Sequence, residues 1–170
     1  PLDSAALLIG HGTAATRRPQ VGSQEESGAL GMAAYRFIIV DDHPLFRGAL
    51  GQALRASFES AEVLEAGSLD ELTSKLEAAG EIDLVLLDLN MPGVHGFSGL
   101  IYLRAERPDL PVVVVSANED PLTMRRAMDL GASGYIPKSE PTAEIRKAIT
   151  AILAGETWTP SRFDLSAVKD

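Results

Sequence analysis

Five short apolar runs constrain this chain more than any other feature. Phe37–Val40, Val63–Leu64, Ile82–Leu87, Val112–Val115 and Tyr135–Ile136 recur between longer segments of helical period. Three of them hold apolar stretches with no polar alternation, the pattern of strands buried on both faces of a parallel sheet. The segments between them fit amphipathic helices. Over Pro44–Phe58, Leu45, Ala49 and Ala53 with Phe46, Leu50 and Leu54 form a broad apolar face. Ser68 followed by Glu71 is a capping-box start, and Leu69, Leu72 and Leu76 continue that helix. Leu100, Ile101 and Leu103 mark a third, and Met124, Ala127 and Met128 a fourth. A fifth carries Ile145, Ala148, Ile149 and Ile152 and stops at Gly155. Five βα units with short loops and right-handed crossovers give an α/β fold with helices on both faces of the sheet.

Domain arithmetic agrees. A chain of 170 residues allows one domain and a tail. Residues 1–34 are rich in Ala, Gly, Ser and Thr and lack a regular period beyond the Ala5–Ile9 patch. They read as an N-terminal extension, native or added for expression. Within them Leu7–Thr13 superficially resembles the first strand of the cobalt and iron chelatases of tetrapyrrole synthesis, on one histidine, His11. Residues 35–158 read as the folded domain and 159–170 as a linker or tail, with no room for a DNA-binding domain. Cysteine is absent, which removes disulfides, thiolate metal sites and a cysteine nucleophile. No apolar stretch nears the roughly 20 residues of a membrane span. The net charge is −9, and 19 acids against 11 bases in residues 36–159 account for −8 of it. Such a surface repels nucleic acid, so DNA would be reached only through another domain.

Ligands of open α/β sheets bind beyond the carboxyl ends of the strands. Strand one ends in Asp41-Asp42, strand three in Asp88, strand four in Ser116, and strand five runs into Lys138. Three clustered carboxylates repel one another unless a cation neutralises them. A hard divalent ion with oxygen ligands suits them, Mg²⁺ first and Mn²⁺ as the alternative. Asp42 and Asp88 would ligate directly, Asp41 through a water, and the Asn90 backbone carbonyl would add an oxygen. A carboxylate beside such an ion can attack phosphorus, and Asp88 is the candidate nucleophile. Lys138 and the Ser116 hydroxyl would take the remaining charge of the transferred group. Lysine is scarce, four against eleven arginines, and a compact ammonium suits a phosphoryl oxygen. Each residue also has a plainer reading. Asp42 before His43-Pro44 suits a helix cap, Asp88 a loop acid, Lys138 a solvated lysine, and His43 a surface residue at a helix start.

The order and spacing of four segments resemble the response-regulator receiver domain. They are Ile39–Arg47, Asp83–Gly93, Val114–Ala117 and Gly131–Ser139. The resemblance covers about residues 35–158. It implies a flavodoxin-like doubly wound (βα)5 fold with strand order 2-1-3-4-5. Asp-Asp-His-Pro-Leu, Lys138-Ser139 and Ala154–Pro160 further resemble NarL/LuxR-type regulators. Those usually carry a C-terminal helix-turn-helix domain. The family implies phosphorylation of Asp88 by a sensor histidine kinase with Mg²⁺. It also implies slow self-catalysed transfer and dephosphorylation rather than enzymatic turnover, a cytoplasmic location, and transcriptional output. The family also implies phosphorylation-dependent homodimers, which would use the 44–58 and 141–154 helices or the face near Tyr135. Ser116 would move onto the phosphoryl group and Tyr135 rotate into the space it leaves. Asn90 and Asn118, each two residues beyond a strand end, would tune dephosphorylation. Two other classes stay open: a phosphohydrolase of the haloacid-dehalogenase type, which wants an acid where Asn90 stands, and a flavodoxin-like cofactor binder, which wants a phosphate-cradling loop where Asp41-Asp42 stand.

Overall fold

The computed structural model describes residues 34–167. The expectations for residues 1–33, the Leu7–Thr13 patch included, and for 168–170 lie outside the described residues. Among the described residues the strands are Arg36–Val40 (β1), Glu62–Ala66 (β2), Leu84–Leu87 (β3), Val112–Ser116 (β4) and Gly134–Pro137 (β5). All pair in parallel, in the order β2-β1-β3-β4-β5. Five α-helices alternate with them: Pro44–Ser57 (α1), Leu69–Ala79 (α2), Ser98–Glu106 (α3), Pro121–Asp129 (α4) and Thr142–Leu153 (α5). This is the flavodoxin-like arrangement expected from the runs and the resemblance.

The unbroken apolar runs exist because each strand feeds two cores. Successive side chains of a strand point to opposite faces. Phe37, Ile39, Leu84, Leu86, Val113 and Val115 face one way, onto Leu50 and Leu54 of α1 and Ile145, Ile149 and Ile152 of α5. Ile38, Val40, Val85, Leu87, Val112 and Val114 face the other way, onto α2, α3 and α4. Edge strand β2 is the exception. It pairs only with β1 and is half-buried, so its apolar signal shrinks to Val63 and Leu64 while Glu62 and Glu65 pair with Arg36 and Arg47. The third strand starts at Leu84 rather than Ile82, because the Asp83 carboxylate accepts the Arg36 amide at 2.7 Å and caps the ladder there.

Local signals set the helix ends. The Ser68 hydroxyl accepts from the Glu71 amide at 3.2 Å, and the Glu71 carboxylate accepts from the Gly67 amide at 2.8 Å. The reciprocal bond falls one residue earlier than in a standard box. Gly155 takes φ +94° just past α5, a conformation side chains disfavour. Beyond it the chain turns back onto the domain. Trp158 bridges in parallel to Gly134 outside β5, and Phe163 and Leu165 pack against the second core. The stretch expected as a linker from 159 is therefore docked as far as Leu165, which opens a 3-10 turn, Leu165–Ala167. Among the described residues no helix is long and apolar enough to cross a membrane.

Candidate phosphoryl-acceptor site

Strand ends β1, β3, β4 and β5 deliver the candidate residues to one edge. Parallel pairing sets their levels: Val40 lies beside Leu87, and Ser116 beside Pro137. The next residues are Asp41, Asp88 and Lys138. Asp88 is 1% exposed and Asp41 2%. The Lys138 ammonium lies 2.8 Å from Asp41 Oδ2 and 3.3 Å from Asp88 Oδ2. Its own amide donates to the Ser116 carbonyl at 2.8 Å, which ties the lysine to the end of β4. Asp88 is thus buried and ion-paired just past β3, and Lys138 is held between two carboxylates.

The ammonium reaches two of the three carboxylates. Ligand atoms of Asp41, Asp42, His43 and Asp88 all lie within 4.8 Å of one another. Asp42 Oδ1 is buried with no hydrogen-bond partner, although His43 Nδ1 sits 3.2 Å from it. A buried carboxylate oxygen without a donor fits a cation-binding position. Burial pushes the Asp88 carboxyl above its ordinary range of 3.8. The Asn90 amide, donating to Asp88 Oδ1 at 3.1 Å, opposes this; Asp41 adds to it and Lys138 opposes it. Asp42 caps no helix: His43 is the N-cap of α1 and makes no side-chain cap bond.

Ser116 is fully buried and its hydroxyl accepts from the Asn118 amide at 3.1 Å. Tyr135 is also fully buried. The phenol donates to the Asn118 carbonyl at 2.6 Å. Burial raises its pKa above 10.0, with the Ser116 hydroxyl pulling the other way. Ser116, Asn118 and Tyr135 thus form one bonded unit. The Asn118 side chain is committed to the start of α4, accepting from Asp120 N at 2.8 Å and donating to Thr123 Oγ1 at 3.3 Å.

A family model of the response regulator receiver domain matches residues 37–150. The chain belongs to the response-regulator receiver family. Among curated relatives, a glycerol metabolism activator of Pseudomonas putida is 45% identical over 126 residues, 74% of this chain and 57% of its own length. Response regulator GacA of Pseudomonas aeruginosa is 33% identical over 123 residues, 72% of this chain and 57% of its own. The crystal structure of a LuxR family DNA-binding response regulator from Silicibacter pomeroyi is 31% identical, with TM-score 0.67, over 76% of this chain and 99% of that one. The non-phosphorylated receiver domain of the stress response regulator RcsB from Escherichia coli is 26% identical, with TM-score 0.69, over 76% and 100%. The chain spans a little over half the length of the curated relatives it matches.

Three receiver residues around the acids were missed or underread from sequence. The exposed ring of His43 turns Nδ1 to within 3.1 Å of Asp41 Oδ1, so this residue borders the acids as well as starting a helix. Phe46 lies under the Lys138 ammonium, 4.5 Å from ring centre to Nζ. Arg47 bonds the Asp41 carbonyl at 2.6 Å and Glu65 at 2.8 Å, gripping the backbone that carries the acidic pair. His43, Phe46 and Arg47 sit one, four and five residues past Asp42. Helical spacing puts the last two one turn beyond His43, the only hint available before the fold.

Proposed function

We propose that this receiver is a phospho-acceptor switch in which Asp88 takes a phosphoryl group from a sensor histidine kinase. The observation that carries the reading is the Asp88 carboxylate, 1% exposed, with the Lys138 ammonium 3.3 Å from one of its oxygens. An Asp88 oxygen bonds to phosphorus as the bond to the donor imidazole nitrogen breaks. Asp41, Asp42, Asp88 and the Asn90 carbonyl would hold Mg²⁺, or Mn²⁺, supported by the unpartnered Asp42 oxygen. When bound, the cation supplies charge neutralisation for incoming phosphate oxygens. Lys138 binds one oxygen of the transferred group and keeps Asp41 and Asp88 from repelling it.

Ser116 carries the signal outward. Its hydroxyl accepts from the Asn118 amide, so a shift toward a phosphoryl oxygen pulls on the Asn118 backbone, whose carbonyl holds Tyr135. The loop after β4, the phenol and α4 therefore move together. Asn90 and Asn118 tune loss of the group, Asn118 through the loop it caps rather than through a free side chain. Transfer and loss are slow and self-catalysed.

The working unit is residues 35–158, in the cytoplasm. Output is transcriptional, through a helix-turn-helix domain outside residues 1–170, and homodimers form through the α1 and α5 helices or the face near Tyr135. DNA-binding relatives and the acidic charge of this unit support that division of labour. Asn90 in place of a second acid favours the switch over a phosphohydrolase.

Acetyl phosphate with Mg²⁺, followed by intact mass, tests the site. One added phosphoryl group on the wild type and none on Asp88→Asn is expected. A group that survives the substitution overturns it, and turnover of small phosphoesters would restore the enzyme reading.

A further inference from the structure

Arg162 reaches back from the docked C-terminal segment to two loops at once. One guanidinium nitrogen pairs with Glu140, whose side chain is buried, and the other lies 3.1 Å from Glu119. Glu140 is two residues past Lys138, on the loop leaving β5. Glu119 directly follows Asn118, on the loop leaving β4. The segment that presents the arginine is held independently. The Trp158 amide donates to the Ser133 carbonyl and its carbonyl accepts from the Tyr135 amide, both at 3.0 Å. The Phe163 ring lies 4.8 Å from the guanidinium, and the Arg125 side chain donates to the Leu165 carbonyl at 3.0 Å.

We propose that Arg162 is a positioning residue for the phosphoryl site, a staple between the Asn118 loop and the Lys138 loop. The proposal rests on the acceptor role of Asp88. A planar fork offers a separate nitrogen to each of two carboxylates and so sets the spacing between them. With the staple closed, the Asn118 loop stays over the strand ends and limits access of water to the phosphorylated carboxylate. Hydrolysis forms a bond from the water oxygen to phosphorus, breaks the Asp88 Oδ–phosphorus bond, and returns the carboxylate and inorganic phosphate. Opening the staple exposes that bond. Coupling between two sites is reciprocal, so a shift of the Asn118 loop also loosens the docked segment and whatever chain it leads to.

The test is the lifetime of the phosphorylated full chain. The protein is loaded with acetyl phosphate and Mg²⁺, the donor is removed, and the added mass is followed over time. Arg162→Ala is expected to load like the wild type and lose the group about two- to fivefold faster, the range an exposed ion pair supports. Glu119→Gln, which leaves the Glu140 pair intact, shifts the lifetime in the same direction. Arg162→Lys falls between. Thermal melts of all variants check that the fold persists. Equal lifetimes in wild type, Arg162→Ala and Glu119→Gln overturn the staple and leave the acceptor reading standing. Shortening by Arg162→Ala alone also overturns it, because the effect then runs through Glu140 or the segment and not between the loops. A wild type that accepts no phosphoryl group overturns the acceptor reading and the staple together.

Discussion

Asp88→Asn removes one negative charge from a crowded site and keeps the side chain's shape. The structure sets the size of the effect. Asp41 and Asp42 each have a ligand atom within 4.8 Å of one on Asp88. At an effective dielectric constant of about 20, each such pair repels by roughly 3.5 kcal/mol, about 7 kcal/mol for the two. Lys138, at 3.3 Å, returns roughly 5 kcal/mol. The balance is about 2 kcal/mol of net repulsion on the Asp88 charge, and burial of that carboxylate acts in the same direction. The amide oxygen still accepts the Asn90 N–H, and the Lys138 bond to the other oxygen goes with the charge that the balance above already removes. In chelator at pH 7, Asp88→Asn is therefore expected to melt higher than the wild type by roughly 6–10 °C for a domain of this size. Adding Mg²⁺ at about 100 times its dissociation constant stabilises the wild type by about 2.7 kcal/mol and closes the gap. Differential scanning calorimetry with and without chelator reads both effects. A variant that melts at or below the wild type in chelator would show that the acids are not in conflict, and the electrostatic case for a cation would fall with it.

Other expectations follow from the same contacts. Because burial holds the Asp88 carboxyl above 3.8, the folded protein binds its proton more tightly than the unfolded chain does. Stability of the chelated wild type relative to Asp88→Asn must then fall as pH rises from about 4 through the folded value, which paired urea titrations across pH will read. Tyr135→Phe removes the donor to the Asn118 carbonyl and should cost about 1 kcal/mol in urea unfolding while leaving phosphorylation by acetyl phosphate intact. Tyr135→Ala is expected to weaken output in a cell-based reporter yet still accept the group; failure to load would count against its assignment to transmission. At Gly134 a Cβ would meet Ile152 at 2.8 Å and the Trp158 carbonyl at 2.9 Å, and backbone cannot yield as a side chain end can. Gly134→Ala should therefore cost roughly 1–3 kcal/mol and change Trp158 fluorescence as the bridge opens.

What could be read before folding divides by the range of the physics. The strands β1, β3 and β4 were legible because burial on both faces leaves no polar residue to confuse the pattern, and β2 was truncated because an edge strand spares Glu62 and Glu65 for ion pairs. Asp41, Asp42, Asp88, Ser116 and Lys138 were legible because a parallel sheet brings successive strand ends to one edge whatever the loops do. The state of Tyr135 was not: whether an aromatic on β5 faces water depends on the Asn118 carbonyl, 17 residues away in sequence. Nor was the docking of residues 158–165. Phe163 and Leu165 are a hint, two large apolar side chains in the 159–170 stretch, close behind Trp158 at the end of the domain. Their target, the edge of β5 and the second core, exists only once the sheet has formed.

The proposed acceptor and its ammonium are 50 residues apart in the chain. A polypeptide emerging from the ribosome presents Asp88 well before Lys138 has left the exit tunnel. Until it does, the three acids have no counter-charge from the protein and the strand edge that aligns them is incomplete. Half-made molecules are thus poor recipients of a signal, and the responding population counts finished domains.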